Sequence, residues 1–120
     1  MSIFLKLAVI GCCWAPLLGF SQPKTITVGS KSFTEQIILG EMFALLLERQ
    51  GGFKVQRLFR LGGSHVTFNA LKNANIDVYP EYTGTALMNI LGHQPIQGAK
   101  KAMTVTRNLM RERYQAVFLA

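Results

Sequence analysis

The chain has 120 residues, a formal net charge of +7 and 49% hydrophobic residues. This length allows one small domain, and any two-lobed architecture can be present only in part. The basic excess lies mainly over residues 100–113 without interleaved aromatic residues, which argues against nucleic-acid binding. A solvated basic helix face explains this excess, and a role at an acidic partner or membrane surface is the alternative.

Residues 1–21 are predicted to be a secretory signal peptide. A single basic residue precedes an apolar run over residues 7–20, and Gly19 and Ser21 supply the small side chains that signal peptidase requires. We therefore expect cleavage before Gln22. The run is too short and too interrupted for a membrane span of about 20 apolar residues. An uncleaved N-terminal anchor is the alternative.

Both cysteines of the chain lie within this segment. The sequence that ends at Cys12, Val-Ile-Gly-Cys, is similar to a lipobox, so a lipoprotein attached through Cys12 is a further alternative. After cleavage before Gln22, neither Cys12 nor Cys13 remains. The mature chain then has no disulfide framework and no cysteine-based metal site or nucleophile.

Residues 22–120, the predicted folded part, alternate between strand and helix signals. β-Branched and aromatic runs predict strands over residues 25–29, 53–59 and 76–79. Apolar periodicity predicts helices that end near residues 50, 72, 91 and 113, beginning after Ser32, at 65, at 83 or 85, and at 97. The apolar residues 114–120 are a candidate fourth strand. This order is typical of an α/β domain with a mainly parallel sheet.

The first helix carries two specific expectations. Ser32 and Glu35 fit a capping box, in which each side chain bonds the backbone N–H of the other residue. Ser64 is expected to cap the second helix in the same way. The first helix is also apolar on nearly every side, which predicts that little of it faces water.

Three polar loops follow the three predicted strands. They cover residues 30–36, 62–64 and 79–85. In α/β domains, ligands bind beyond the carboxyl ends of the strands, where such loops meet if the sheet is parallel. The sequence therefore predicts a binding site at this edge.

Two tyrosines in the third loop favour a particular kind of ligand. A quaternary ammonium group has no N–H to donate, but aromatic rings hold a cation within about 6 Å of the ring centroid. Tyr79 and Tyr82 flank Pro80, and Tyr82 is expected to point into the cleft while Tyr79 packs inward. Spacing alone leaves open that both are partly buried core tyrosines.

Three motifs, in order, resemble the osmoprotectant-binding proteins of ABC importers, which bind glycine betaine, choline and carnitine. They are VGSKSFTEQIILG over residues 28–40, LGGS over residues 61–64 followed by Ala70-Leu71, and IDVYPEYTGT over residues 76–85. The resemblance covers residues 25–120 but well under half of a typical member. It implies a type II periplasmic-binding-protein-like fold of which only part of lobe one is present.

The resemblance also implies roles for individual residues. Tyr82 matches a tyrosine of an aromatic cage, Thr85 matches a polar position near the ammonium head, and Gln36 matches a polar contact from the first loop. Tyr79 matches the motif without clearly matching the cage. Ser64 departs from the family, which usually has threonine there.

Other polar residues are expected to have ordinary structural roles. Lys31 could meet a ligand carboxylate, and a surface charge is the more common role of such a residue. His65 and His93 have no partner at metal-ligand spacing, so neither a metal nor a cofactor is expected. Asp77 and Glu81 are interpreted as capping and loop charges.

The sequence thus predicts transport rather than catalysis. The expected partners are a quaternary ammonium compound and an ABC permease in the cytoplasmic membrane, and the expected location is outside the cytoplasm. Two alternatives remain: a truncated remnant that does not bind, and a binding protein for another polar solute such as an amino acid. An amino-acid receptor needs an arginine to grip the carboxylate, and Arg57 and Arg60 match no such motif.

Overall fold

The computed structural model describes residues 22–119, so the predicted signal peptide and the lipobox at Cys12 lie outside it. No helix in this range is long and apolar enough to span a membrane. The elements are β1 (Lys24–Gly29), α1 (Thr34–Gln50), β2 (Phe53–Leu58), α2 (Ser64–Lys72), α3 (Thr83–Thr85), a π-helical turn (Ala86–Ile90) and α4 (Ala99–Tyr114). The predicted α/β order of strands and helices is confirmed.

The strands form a small parallel sheet with β1 at its centre. On one side β1 pairs with β2, Lys24 opposite Phe53 and Gly29 opposite Leu58. On the other side it meets Val78 in a single parallel bridge, where the Gly29 N–H donates to the Val78 carbonyl at 2.8 Å. The carboxyl ends of these segments therefore lie at one edge, as the sequence predicted.

The predicted third strand is wrong as a continuous strand, because it is reduced to the bridge at Val78. The Thr27 N–H donates to the Asp77 carboxylate at 2.7 Å, so a side chain takes the place of a backbone carbonyl. Pro80 has no N–H and prevents the pairing from continuing.

The predicted fourth strand is also wrong within the described residues. Helix α4 runs to Tyr114, and Gln115 then adopts a left-handed conformation with φ 55°. The N–H groups of Gln115 and Ala116 donate back to the carbonyls of Arg111 and Met110, which closes the helix end. Residues 116–119 belong to no strand.

Neither predicted side-chain cap forms. Helix α1 begins at Thr34 with Phe33 at the N-cap position, and α2 begins at Ser64 itself. The Ser32 N–H instead donates to the Gly62 carbonyl at 3.0 Å, which ties the first loop to the second. These serines serve contacts between loops rather than the helices that follow them.

Helix α1 is far more exposed than predicted. Its sheet-facing side is built from Gln36, Gly40 and Ala44, which are buried. A side chain at position 40 would come within 3.0 Å of the Phe59 ring, so glycine allows the close approach of helix and sheet. The large apolar residues lie on the other side and are open to solvent within residues 22–119: Ile38 55%, Met42 56%, Leu45 49% and Leu46 57% exposed.

The hydrophobic core lies between α2, the π-helical turn and α4. Phe68, Leu87, Leu91 and Met110 are its buried members. The Phe68 and Tyr114 rings meet edge to face with centroids 4.9 Å apart. Tyr79 of the third loop packs against this core, and α4 presents its apolar side to it.

Candidate functional site

The three polar loops meet at the carboxyl edge of the sheet. Lys31 in the first loop reaches Ser64 in the second, with Nζ 3.4 Å from Oγ, and Glu81 in the third, with Nζ 2.5 Å from Oε1. One side chain therefore joins all three loops, and the predicted convergence is confirmed.

Backbone contacts fix the first two loops against each other. The Leu61 N–H donates to the Ser30 carbonyl at 3.0 Å, and the Arg60 N–H donates to the Ser30 hydroxyl at 3.2 Å. Arg60 adopts a left-handed conformation, with φ 61°, to make this contact. The Ser30 hydroxyl itself donates to the Lys31 carbonyl at 3.0 Å.

A buried ion pair lies at the centre of the site. The Lys31 and Glu81 side chains are 1% and 4% exposed. Glu81 also accepts hydrogen bonds from the Tyr79 hydroxyl at 3.2 Å and from the Tyr82 N–H at 2.8 Å. A buried charge is tolerated only when it is paired and hydrogen-bonded, and both charges meet that condition.

This ion pair corrects two expectations about charged residues. Lys31 is not a surface charge, and its ammonium is already bound by Glu81, so a ligand carboxylate would have to compete with that contact. Glu81 is a buried partner rather than a solvated loop charge. Asp77 does satisfy a backbone N–H, that of Thr27, as expected of a capping residue.

Two aromatic rings, Phe33 and Tyr82, contact the same ammonium group. The Lys31 Nζ lies 5.2 Å from the Tyr82 ring centroid and 5.6 Å from that of Phe33. Both distances are within the range of a cation–π interaction. We call these two rings the aromatic pair; Tyr82 is 40% and Phe33 53% exposed.

Phe33 was not predicted as a site residue. The available signal was its position: it lies between Lys31 and the first turn of α1, in a loop already expected to carry binding groups. Phe33 is 53% exposed at the N-cap position of α1, so its ring fills no core.

Tyr79 and Tyr82 have opposite environments, as predicted. Tyr79 packs against the hydrophobic core and is partly buried. Burial raises the pKa of its hydroxyl well above the usual range, and the neighbouring Glu81 charge and hydrogen bond raise it further. The possibility that both tyrosines belong to the core is excluded for Tyr82, whose ring is open to solvent.

Gln36 is a buried polar side chain without a partner. It is 0% exposed, and neither its Nε2 nor its Oε1 forms a hydrogen bond with the described residues. Its amide lowers the pKa of the Tyr82 hydroxyl without being aligned for a hydrogen bond, whereas Glu35, burial and Glu81 together raise that pKa above its ordinary value. An unsatisfied buried amide costs about 1–3 kcal/mol and remains available to a ligand.

Thr85 lies at the end of α3, three residues after Tyr82, and is half-buried. The π-helical turn begins immediately after it. The structure therefore brings Lys31, Tyr79 and Tyr82 together around Glu81 and places Gln36 beside Tyr82. Thr85 is outside the hydrogen-bond network found among residues 22–119.

A groove lined mainly by apolar residues lies beside this site. It has a volume of about 840 Å³ and runs along the free side of Val78, between α1 and the end of α4. Tyr79 and Glu81 contribute to its wall, but the aromatic pair and Gln36 do not. The groove is therefore distinct from the site at the loop edge.

Arg57, considered for a carboxylate grip, is occupied within the chain. Its guanidinium donates to Glu41 at 2.8 Å and to Glu48 at 2.7 Å. These contacts join β2 to α1 and occupy the guanidinium. The geometry gives no support to an amino-acid site built on this residue.

The family model described as the substrate binding domain of ABC-type glycine betaine transport systems matches residues 24–118. The chain belongs to this family. Its similarity to the carnitine transport binding protein OpuCC of Listeria monocytogenes is 32% identity over 106 residues, 88% of this chain and 34% of that protein. The ergothioneine transport permease/ergothioneine binding protein EgtU of Helicobacter pylori is 36% identical over 92 residues, 76% of this chain and 16% of that protein.

Solved structures of the family give the same assignment. A crystal structure of a glycine betaine/carnitine/choline ABC transporter protein matches with a TM-score of 0.72 and 28% identity, over 82% of this chain and 37% of that one. Ligand-free YehZ from Escherichia coli matches with a TM-score of 0.73 and 26% identity, over 80% of this chain and 34% of that one. These TM-scores confirm the periplasmic-binding-protein-like fold. The chain spans about a third of the length of these two proteins, which confirms that only part of the fold is present in it.

Proposed function

We propose that this chain contributes the first-lobe part of an extracytoplasmic solute-binding protein for a quaternary ammonium compound such as choline, glycine betaine or carnitine. The whole protein would capture the solute and deliver it to an ABC permease in the cytoplasmic membrane. It would break no bond and use no cofactor, so it is not an enzyme. Residues 1–21 would direct export, either as a cleaved signal peptide or through a lipid on Cys12.

The observation that carries this proposal is the pairing of an exposed ring with an unsatisfied buried amide. Tyr82 offers an electron-rich face to a cation, and Gln36 beside it has a donor and an acceptor without partners. A solute with a methylated ammonium head and a polar tail presents matching groups. Thr85 and Tyr79 complete the proposed site, Tyr79 by fixing Glu81 beneath Tyr82.

The Lys31 ammonium supports the same conclusion from within the chain. It is held within 5.6 Å of two rings from different loops. The aromatic pair is therefore placed where a positive charge is favourable, at about 0.5–2 kcal/mol per ring. Lys31 was also predicted as a ligand contact, and we propose that it acts on a carboxylate only if the solute displaces it from Glu81.

The test is an NMR titration of the full chain with choline, glycine betaine and carnitine. We expect weak binding, with shifts that are concentrated over residues 30–36 and 79–85. Tyr82→Ala should weaken this binding about tenfold, because the ring is the principal cation contact. Phe53→Ala is the matched control, since Phe53 is 39% exposed and lies at the opposite end of the sheet.

A second candidate is a remnant that folds but does not bind. The chain spans 34% of the carnitine transport binding protein OpuCC and 37% of the glycine betaine/carnitine/choline transporter protein that it matches. No shift with any of the three solutes, in a chain that gives a dispersed folded spectrum, would support the remnant. Binding that is unchanged by Tyr82→Ala would contradict the proposed site.

A further inference from the structure

We infer that Glu81 keeps the aromatic pair open to a cationic ligand by neutralising the Lys31 ammonium that lies beneath the two rings. This inference rests on the proposed function, because it concerns the same rings. It assigns Glu81 and Lys31 as positioning residues, and it adds Phe33 as a second ring that contacts the ligand.

The geometry creates an electrostatic problem that the site must solve. The Lys31 ammonium is buried, yet it lies 5.2 and 5.6 Å from the centroids of two rings that are about half open to solvent. A ligand cation on the open side of these rings would therefore lie about 10 Å from another full positive charge, with only the rings between them. Without compensation, the two cations would repel each other across the rings.

Glu81 removes this repulsion at its source. Its Oε1 contacts the Lys31 Nζ directly, and the pair is almost wholly buried, so the carboxylate cancels the ammonium at close range in a poorly screened environment. Glu81 also holds the Tyr82 backbone N–H at 2.8 Å, which fixes the loop that carries one of the rings. The Glu81 carboxylate thus neutralises the Lys31 ammonium and also positions the loop that carries Tyr82.

A purely structural role for the ion pair makes a different prediction. Glu81→Gln and Lys31→Met both destroy the pair and loosen the three loops, so a structural role predicts similar losses of binding. The charges that remain are opposite. Glu81→Gln leaves an uncompensated ammonium beneath the rings, whereas Lys31→Met leaves a carboxylate that attracts a cation.

The experiment compares choline with 3,3-dimethylbutan-1-ol, its uncharged carbon isostere, in NMR titrations of the 120-residue chain. We expect Glu81→Gln to weaken choline binding about 5–10-fold while changing binding of the neutral isostere less than about twofold. Lys31→Met should weaken choline binding several-fold less than Glu81→Gln does, because the carboxylate that remains attracts the cation. Phe33→Leu should weaken choline several-fold while leaving the fold intact, because Phe33 is exposed.

Equal losses of choline binding in Glu81→Gln and Lys31→Met would overturn the inference, as would equal losses for choline and its isostere in Glu81→Gln. If Glu81→Gln does not fold, the double variant Lys31→Met/Glu81→Gln replaces it, because it carries neither charge. The double variant should lose choline and the isostere by similar factors, and a loss at least about fivefold greater for choline than for the isostere would overturn the inference. Failure of the proposed function is distinct: the unsubstituted chain would then bind choline no better than the isostere.

Discussion

Tyr79 and Tyr82 show how two identical side chains, three residues apart, acquire different chemistry from the same carboxylate. Glu81 accepts hydrogen bonds from the Tyr79 hydroxyl and from the Tyr82 backbone N–H. Tyr79 consequently faces the core with its polar atom satisfied, whereas the Tyr82 ring is left to face solvent. The rigid Pro80 between them keeps these directions apart.

Tyr79 should make stability depend on pH in the alkaline range. Its pKa is raised above the ordinary value of 10.0, so the stabilisation from the neutral phenol is complete below pH 10 and is lost as the pH rises further. At pH 7 we expect Tyr79→Phe to lower the free energy of unfolding by about 1 kcal/mol, through loss of the hydrogen bond to Glu81. Denaturant titrations should show this difference narrowing above pH 10.

Tyr114→Phe is the control, since Tyr114 also packs against the core but does not bond Glu81. A difference between the native chain and Tyr79→Phe that stays constant to high pH would contradict the prediction.

At this scale the sequence predicted the residues but not their contacts. The motif placed Lys31, Gln36 and Tyr82 near one another, because loops after parallel strands share an edge. It did not predict that Lys31 would be buried against Glu81, since an ion pair between residues 50 positions apart leaves no local signal. Phe33 was not predicted as a site residue, because the burial of the Lys31 ammonium that its ring contacts is not visible in the sequence.

Helix α1 is the element on which the site depends, because its first turn carries Gln36 and its N-cap residue is Phe33. Arg57 of β2 attaches this helix to the sheet. It forms ion pairs with Glu41 and Glu48, about two and four turns into the helix, and all three side chains remain partly exposed. Since one guanidinium serves two carboxylates, less side-chain entropy is lost per contact than in two separate pairs.

Arg57→Met should therefore lower Tm by a few degrees and make it less sensitive to salt, because partly exposed ion pairs are screened. The pKa of Glu48 is depressed below its ordinary value of 4.5, chiefly by its hydrogen bonds from Arg57. The stabilisation is thus present above that value and is lost as the pH falls through the lowered pKa. Thermal melts should show a difference in Tm between the two proteins at pH 7 that becomes smaller as the pH falls below 4.5.

Lys54→Met provides the control, since Lys54 lies on the same strand and is exposed. An equal loss for both substitutions would indicate that methionine on β2, rather than the ion pairs, lowers the stability.

The elements were predicted where local periodicity determines them and were missed where distant contacts do. The helices ending near residues 50, 72 and 113 follow from apolar spacing and end within one residue of expectation. The capping box failed because the Ser32 N–H is used by Gly62, thirty residues away. The strand at Val78 was shortened because Asp77 bonds Thr27 with its side chain, which a strand pattern does not reveal.

At the scale of the molecule, the described residues leave two large apolar surfaces open. One is the outer side of α1, where Ile38, Met42 and Leu46 are each more than half exposed. The other is the 840 Å³ groove beside Val78. Contiguous apolar surfaces of this kind are normally covered by another part of a protein or by a partner.

We expect the isolated chain to self-associate through the outer side of α1. Met42→Lys with Leu46→Lys should shift sedimentation profiles toward the monomer without loss of helical circular dichroism, because both positions are exposed. Asn69→Lys with Asn73→Lys adds the same positive charge at exposed polar positions of α2 and its C-cap, and serves as the control. Equal shifts toward the monomer for both double substitutions would show that net charge, rather than the apolar surface, governs self-association.

The backbone contacts of Ser30 have a kinetic consequence. Because Ser30 holds two neighbouring connections together through its carbonyl and its hydroxyl, the rim of the sheet is already ordered before any solute arrives. The conformational entropy of these turns is lost during folding, so ordering them does not weaken the later binding of a solute. Capture at this rim should therefore proceed without a slow rearrangement of these turns, and any larger movement must occur as a rigid body about a pivot remote from Ser30.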